Sequence, residues 1–141
     1  MLKSIKVRDC MTRHLVTFRS DTDLLLAIER LLEHRISGAP VVDSQGHLIG
    51  MLSEGDCLRG ILSCTHDEAA IGSVSGCMSA QLETVSPDAD IVDVCQRFLR
   101  DKRQRFPVVE EGVLIGQVSR RDVLLAVKGF ARHDPEQPPE V

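Results

Sequence analysis

The chain has 141 residues, of which 43% are hydrophobic, 27% charged and only 3% aromatic, with four Phe and no Trp or Tyr. This length suffices for one ordinary domain, or for two very small ones that share a core. So few rings exclude base stacking on aromatic platforms, and a net charge of −4 has the wrong sign for binding bulk nucleic acid. No apolar run approaches the roughly 18 residues of a membrane span, and the charged start, Met1 to Asp9, is unlike a secretory signal. We therefore expect a cytoplasmic chain without a membrane span.

An internal repeat accounts for almost the whole chain. Cys-Met-Thr at 10–12 returns as Cys-Met-Ser at 77–79, and Pro-Val-Val at 40–42 returns at 107–109, both at an offset of 67 residues. After a one-residue deletion the offset is 66, and a Leu-Ile-Gly segment after a glycine turn recurs in both copies. We interpret this as a duplication. It predicts repeats at 7–62 and 74–128, a linker at 63–73 and a flexible acidic, Pro-rich tail at 131–141.

Each copy shows the same series of secondary-structure signals. A segment with β character, at 15–18 or 82–85, is followed by turn and cap residues at 20–22 or 86–88 and then by a helix. Two strands joined by a glycine turn come next, at 39–43 and 48–52 or at 106–110 and 114–118. A second helix ends each copy, so each copy has the order β-α-β-β-α.

The first helix of each copy has an apolar stripe at the spacing i, i+3, i+4, i+7 and i+8, which is typical of a helix buried on one face. The stripe residues are Leu24, Ala27, Ile28, Leu31 and Leu32 in the first copy and Ile91, Val94, Cys95, Phe98 and Leu99 in the second. This pattern places Cys95 in the core. One copy is too small to be stable alone. We therefore predict an α+β fold in which the two copies pack sheet to sheet as one pseudo-twofold module.

Two further motifs occur once in each copy. An apolar-Pro-Val-Val-acid strand lies at 39–43 and 106–110, and Gly-x-x-Ser-x-x-Asp lies at 50–56 and 116–122. Over residues 7–128 the chain resembles the tandem CBS-domain pair, also called a Bateman module. The resemblance implies a homodimer that binds an adenosine-containing ligand in clefts between repeats. It also implies a module that regulates an enzyme, channel or transporter and performs no chemistry itself.

The Ser-x-x-Asp part of the motif has two interpretations. Ser53 and Ser119 fall where a strand ends and a helix begins, a position at which free N–H groups and the helix dipole favour a phosphate. Asp56 and Asp122, one turn later, can accept hydrogen bonds from a ribose diol, as the resemblance implies. The same pattern is also a capping box, in which the serine and the aspartate satisfy the N–H groups of the helix itself. The residues alone leave both interpretations open.

The second copy is richer in arginine than the first. Arg103 and Arg105 lie just before its Pro-Val-Val strand, and Arg120 and Arg121 lie within its motif, where the first copy has Glu54 and a glycine. Arg105 stands where an arginine reaches phosphates in some nucleotide-binding members of the family. Guanidinium groups form bidentate contacts with phosphate, whereas a carboxylate repels it, so we expect anion selectivity from the second copy. The alternative is a solvated basic end of the preceding helix, favoured by its dipole.

By the same resemblance, the nucleobase packs against aliphatic side chains and backbone near the strand-start threonines and the pre-proline segments. We predict a nucleotide site built from Thr17, Ile36, Ala39, Pro40, Ser53, Asp56, Thr84, Arg103, Arg105, Phe106, Pro107, Ser119, Arg120 and Asp122. AMP, ADP or ATP is the favoured ligand, and S-adenosylmethionine and NAD-type ligands are alternatives. We expect its occupancy to be signalled to a separate, unidentified partner protein.

Other functions receive less support from the residues. No nucleophile motif, phosphate loop or acid–base pair of carboxylates points to catalysis, so we expect neither an enzyme nor a catalytic cofactor. The five cysteines are odd in number and lack a Cys-x-x-Cys pair, which argues against disulfides and a metal site and favours reduced, mostly buried thiols. Two alternatives stay open: a ligand-free dimerisation scaffold, and a thiol redox sensor centred on Cys57 and Cys64, which lie near His66 in the sequence.

Overall fold

Residues 1–64 and 72–132 are described in this computed structural model. Within them the helices are α1 (Val7–Cys10), α2 (Leu24–His34), α3 (Glu54–Cys64), α4 (Ile91–Asp101) and α5 (Arg120–Arg132). The strands are β1 (Gly38–Val42), β2 (Leu48–Ser53), β3 (Arg105–Glu110) and β4 (Val113–Ser119). The order helix, strand, strand, helix occurs twice, which confirms the α+β class and the duplication. The predicted tail from 133 and the linker from 65 to 71 fall outside the described residues, and the predicted domain boundaries stay a prediction.

Each predicted leading strand is reduced to one bridging residue. Phe18 pairs in parallel with Val41, and Val85 pairs in parallel with Val108. In both repeats this residue donates its N–H to the carbonyl of the proline in the neighbouring strand, at 3.0 Å. The segment is therefore fixed to the edge of its hairpin at one point and not along a strand.

The first helix of each repeat is capped by an aspartate that follows the predicted turn. The Asp23 carboxylate accepts a hydrogen bond from the Leu26 N–H at 3.3 Å, and the Asp90 carboxylate accepts one from the Asp93 N–H at 3.0 Å. Such caps satisfy N–H groups that have no partner inside the helix. The caps thus lie slightly later in the chain than the turn residues at 20–22 and 86–88.

The four strands form two hairpins, β1 with β2 and β3 with β4. In the first hairpin Gly38 pairs with Ser53, so the start of β1 lies beside the end of β2. The turn of the second hairpin has two consecutive residues with positive φ, Glu111 at 52° and Gly112 at 82°. This is the conformation of a tight hairpin turn that favours glycine. In both repeats the second strand leads directly into the second helix, which sets the position of the Ser-x-x-Asp motif.

The described chain forms two compact units whose ends differ from those of the repeats. The first unit contains 1–14, 83–111 and the chain from 115 onward, and the second contains 15–82 and 112–114. The first residues of each repeat therefore pack with the other repeat. In the first unit Val7 donates its N–H to the Ala89 carbonyl at 2.9 Å, and in the second Met51 and Ser79 exchange two backbone hydrogen bonds of 2.9 Å.

Each unit has its own buried and mostly aliphatic core. In the first unit the core residues are Val7, Met11, Val85, Ile91, Val94, Phe98, Phe106, Val108, Val118 and Val123. In the second they are Phe18, Leu24, Ala27, Leu31, Ala39, Val41, Leu52, Cys57 and Val74. These clusters fit the expectation that a chain with four rings builds its interior from aliphatic side chains.

The buried face of each first helix is narrower than its predicted stripe. In α4, Ile91, Val94 and Phe98 are buried, whereas Leu99 is 74% exposed and Cys95 is exposed. The placement of Cys95 in the core was therefore wrong. Positions i+4 and i+8 lie about 40° and 80° around the helix from the first stripe residue, so they fall at or beyond the edge of the buried face.

Candidate functional site

Both Ser-x-x-Asp motifs form complete capping boxes at the starts of α3 and α5. The Ser119 hydroxyl accepts a hydrogen bond from the Asp122 N–H at 3.1 Å, and the Asp122 carboxylate accepts one from the Ser119 N–H at 2.9 Å. The corresponding distances between Ser53 and Asp56 are 3.1 and 2.8 Å. The capping interpretation that the sequence left open is thus realised in both repeats.

Other N–H groups at these helix starts also donate within the protein. The Arg120 N–H donates to the Gln104 carbonyl at 3.2 Å, and the Glu54 N–H donates to the Ser37 carbonyl at 2.9 Å. Most of the donors that would form a backbone phosphate seat are therefore in use. An anion at either helix start would depend mainly on side chains.

The two motif carboxylates have different partners. Asp56 is only 7% exposed, and its second oxygen accepts a hydrogen bond from the Arg59 guanidinium at 2.6 Å. Asp122 is half-buried, and the Thr12 hydroxyl lies 3.3 and 3.4 Å from its two oxygens. These last contacts are long for an O–H donor, so they hold the carboxylate weakly. Asp56 is thus neutralised within its own helix, whereas Asp122 keeps most of its capacity to accept hydrogen bonds.

Thr12 reaches Asp122 because residues 11–12 cross the strand that precedes α5. The backbone of Thr12 exchanges two hydrogen bonds with Gln117, at 2.8 and 2.9 Å. This crossing explains the repeated glycine of the strand, since a Cβ at Gly116 would lie 2.8 Å from the Met11 sulfur and 3.0 Å from the Thr12 carbonyl oxygen. Thr12 was absent from the predicted site. The recurrence of Cys-Met-Thr as Cys-Met-Ser was the available signal.

The arginines of the second repeat fall into two groups. The Arg120 guanidinium donates to the carbonyls of Arg103 at 2.7 Å and Phe98 at 3.0 Å, so it satisfies the C-terminal end of α4 and not the Ser-x-x-Asp motif. Arg105 at the start of β3 and Arg103 two residues before it are half-buried, and Arg121 is exposed on the first turn of α5. The Arg120 guanidinium is therefore engaged in holding the fold.

Several predicted lining residues belong to the cores. The side chains of Ala39, Pro40, Phe106 and Pro107 are buried, and the carbonyls of both prolines accept N–H groups from the bridging residues. Any contact between these four residues and a ligand would therefore use backbone atoms. The remaining predicted residues are closer to the surface, because Ile36 and Thr84 are half-buried and Thr17 is exposed.

The predicted residues separate cleanly between the two compact units. The second unit holds Thr17, Ile36, Ala39, Pro40, Ser53 and Asp56, and the first holds Thr84, Arg103, Arg105, Phe106, Pro107, Ser119, Arg120 and Asp122. The charges differ strongly between the two sets. Residues 103–105 and 119–122 contain four arginines and one carboxylate, whereas residues 36–38 and 53–56 contain two carboxylates and no cation. An anionic ligand is thus favoured in the first unit, which holds the site residues of the second repeat.

Comparison with known proteins identifies the family of this chain. The profile of the CBS domain family matches the chain twice, at residues 7–63 and 71–129. The chain belongs to the CBS domain family. The two matches cover both repeats and confirm the resemblance carried by their motifs.

Three relatives illustrate the extent of the similarity. An uncharacterised protein of Methanocaldococcus jannaschii is 28% identical over 118 residues, covering 84% of this chain and 41% of the relative. The A-adding tRNA nucleotidyltransferase of Aquifex aeolicus is 30% identical over 124 residues, covering 88% of this chain and 14% of the relative. The chain thus spans less than half the length of these two curated relatives. Among solved structures, CBSX2 from Arabidopsis thaliana in complex with AMP is 28% identical, with a TM-score of 0.80 over 89% of this chain and 98% of that chain.

The thiols of the two CBS repeats lie in different environments. Cys57 is buried, and its burial and the neighbouring Cys77 raise its pKa. Burial, together with the Asp122 carboxylate, raises the pKa of Cys10 to about 11. Within residues 1–63 and 72–131, no three His, Cys, Asp or Glu side chains gather as metal ligands, and every helix described is too short or too polar to traverse a bilayer. His66 and the Cys64 side chain lie outside the described residues.

These environments predict the order in which the thiols react. Iodoacetamide at pH 8.5 should alkylate Cys95 well before Cys10 and Cys57, because the thiolate is the reactive form and Cys95 is exposed. With a pKa of about 11, roughly 1% or less of Cys10 is thiolate at that pH. Peptide mass spectrometry over a time course measures the order, and the urea-unfolded chain provides the control. Labelling of Cys57 as fast as Cys95 in the folded chain would restore the redox-sensor alternative.

Proposed function

We propose that this CBS pair is a non-enzymatic regulatory module that binds an adenosine-containing ligand, with AMP, ADP or ATP as the favoured class. The observation that carries the proposal is the contrast between the two repeats around equivalent carboxylates. In one repeat Asp122 keeps acceptor capacity beside a set of arginines, whereas in the other Asp56 is buried against Arg59 next to a further carboxylate. The similarity to CBSX2, solved with AMP, supports the ligand class.

The roles in this site follow from the chemistry of the groups. Asp122 accepts hydrogen bonds from the ribose diol, for which its weak contact with Thr12 leaves room. Arg103, Arg105 and Arg121 supply the positive charge for the phosphate, and charge-assisted contacts to guanidinium groups are the strong ones. The base packs against aliphatic side chains and backbone. We infer one occupied site per chain, in the second repeat.

Regulation requires that the ligand distinguish two arrangements of the module. A ligand that binds both arrangements equally shifts no equilibrium, however tightly it binds. Ligand binding would weaken the contact between Thr12 and Asp122, because a ribose bound to Asp122 competes with the Thr12 hydroxyl. Residues 1–14 would then carry occupancy to a separate partner protein in the cytoplasm.

A second candidate function is a scaffold that binds no small ligand. The two complete capping boxes favour it, since they account for every Ser-x-x-Asp residue without a nucleotide. The two candidates differ in one measurable property. Nucleotides raise the thermal stability of the regulatory module by mass action and leave that of the scaffold unchanged.

The test is titration of ligand-stripped protein with AMP, ADP, ATP, S-adenosylmethionine and NAD. Stripping can be checked by absorbance near 260 nm, because a chain without Trp or Tyr absorbs little there. We expect calorimetry to give one adenine nucleotide per chain. At about 100 times Kd the same nucleotide should raise the free energy of unfolding by about 2.7 kcal/mol. Absence of both heat and thermal shift for the whole panel would overturn the regulatory proposal and favour the scaffold.

A further inference from the structure

The helices that follow the two Ser-x-x-Asp motifs differ at two positions on either side of the aspartate. The residue before the aspartate is Gly55 in α3 and Arg121 in α5. The residue three positions after it is Arg59 in α3 and Leu125 in α5. Each helix therefore has an arginine at one of these two positions and not at the other.

In α3 the arginine covers the outer oxygen of the motif carboxylate. Side chains on a helix tilt toward its N-terminus, so a residue three positions after the aspartate lies over the same turn. The Arg59 guanidinium donates to Asp56 Oδ1 at 2.6 Å, and Asp56 Oδ2 accepts the capping hydrogen bond from the Ser53 N–H at 2.8 Å. The Arg59 side chain is 72% exposed, whereas Asp56 is buried. The guanidinium therefore lies between the carboxylate and solvent.

Gly55 leaves space for this arrangement on the first turn of α3. A Cβ at this position would lie 3.5 Å from Nη1 and 3.7 Å from Nη2 of Arg59, so the guanidinium lies in contact with this part of the turn. In α5 the two positions hold Arg121 and Leu125. The leucine side chain has no hydrogen-bond donor, so it cannot take the role of Arg59.

We propose that Arg59 is the specificity-determining residue that restricts ligand binding to the second repeat, because its guanidinium occupies the carboxylate oxygen that a ribose diol would need. The inference rests on the proposed function, since it takes Asp122 and a ribose as the working pair. A ribose at the first repeat would have to displace a charge-assisted hydrogen bond, which is among the stronger contacts in proteins. The loss of that contact lowers the affinity for ribose by about tenfold or more.

The charge around Asp56 determines which probe can test this role. Residues 36–38 and 53–56 contain Glu54 and Asp56 and no cation, so they repel a phosphate. Adenosine presents a ribose diol without a phosphate. It therefore reports the contact with the carboxylate in either repeat, whatever the surrounding charge.

Equilibrium dialysis with adenosine measures the number of sites in the wild type and in Arg59→Leu, which introduces the residue of the second repeat. We expect the wild type to bind one adenosine per chain and Arg59→Leu to bind two over the same concentration range. The added site should disappear in Asp56→Ala/Arg59→Leu. Arg30→Leu is the matched control, because Arg30 is exposed on α2 and the same change of charge and hydrophobicity there should leave one site. Urea denaturation shows whether each variant is folded.

The reciprocal exchange tests the same role in α5, where both positions are exposed. Arg121→Gly/Leu125→Arg reproduces the arrangement of α3 and is compared with Arg121→Gly alone. We expect the added arginine to weaken adenosine binding about tenfold, because it competes with the ribose for Asp122.

The inference and the proposed function fail in different ways. Adenosine binding by folded Arg59→Leu that is no greater than by the wild type would overturn the inference. If Arg59→Leu does not fold, equal adenosine affinity of the two α5 variants would overturn it instead. Failure of the proposed function is a wild type that binds neither AMP nor adenosine. In that case an adenosine bound by Arg59→Leu, and lost with Asp56→Ala, would still support the role of Arg59.

Discussion

Replacing Asp122 with Ala should lower the affinity for AMP about 100-fold, whereas the equivalent Asp56→Ala change should leave AMP affinity within experimental error. Two hydrogen bonds from a ribose diol to a charged acceptor contribute about 1.5 kcal/mol each, and about 2.8 kcal/mol corresponds to a factor of 100. Asp56 has no such contribution to lose, since its carboxylate is buried and engaged by Arg59.

Asp56→Ala is also the matched control for stability. Each substitution removes the carboxylate of a capping box with the same geometry, so each should cost about 1 kcal/mol of unfolding free energy from the lost cap. Isothermal titration measures AMP affinity, and urea denaturation measures stability. Equal losses of affinity in the two variants would refute the placement of the ligand in the second repeat. A loss confined to Asp56→Ala would move the site to the first repeat.

The order of helices and strands could be predicted because its signals are local. Helix periodicity, the glycine of each hairpin turn and the Pro-Val-Val strands lie within short windows, and the duplication supplied each of them twice. The turn at Gly112 illustrates the point, since its positive φ is a requirement of the turn itself. The capping boxes were predictable for the same reason, because Ser119 and Asp122 are three residues apart.

The features that distinguish the Ser-x-x-Asp motif of the second repeat from that of the first depend on packing between segments that are distant in the sequence. Thr12 and Asp122 are 110 positions apart, and no spacing rule connects them. The Arg120 side chain could turn toward a ligand or toward the end of α4, and the choice depends on where that helix ends. Cys95 lies at the edge of an apolar stripe, where burial is decided by what packs against the helix. Sequence periodicity gives the direction of a buried face but not its width.

Replacing Phe106 with Ala should cost about 3–5 kcal/mol of unfolding free energy, which is a large share of the stability of a small domain. Phe106 is completely buried, its ring centre lies 4.8 Å from that of Phe98, and the Arg97 guanidinium lies 4.7 Å from its centre. Removing the ring leaves a cavity and deprives both neighbours of contacts. Urea denaturation should show a lower midpoint with an unchanged slope.

The first repeat provides the control for this prediction, because it exchanges the large and small residues. Phe18 and Ala39 occupy the positions that Val85 and Phe106 occupy in the second repeat, and both members of each pair belong to one buried cluster. Val85→Phe alone should destabilise the chain by about 1–3 kcal/mol through overpacking. Combined with Phe106→Ala, it should recover more than about 1 kcal/mol, because the new ring fills the space that the old one leaves. Strictly additive losses would mean that the two positions do not share a cavity. The exchange of large and small residues between the repeats would then not keep the volume of the core constant.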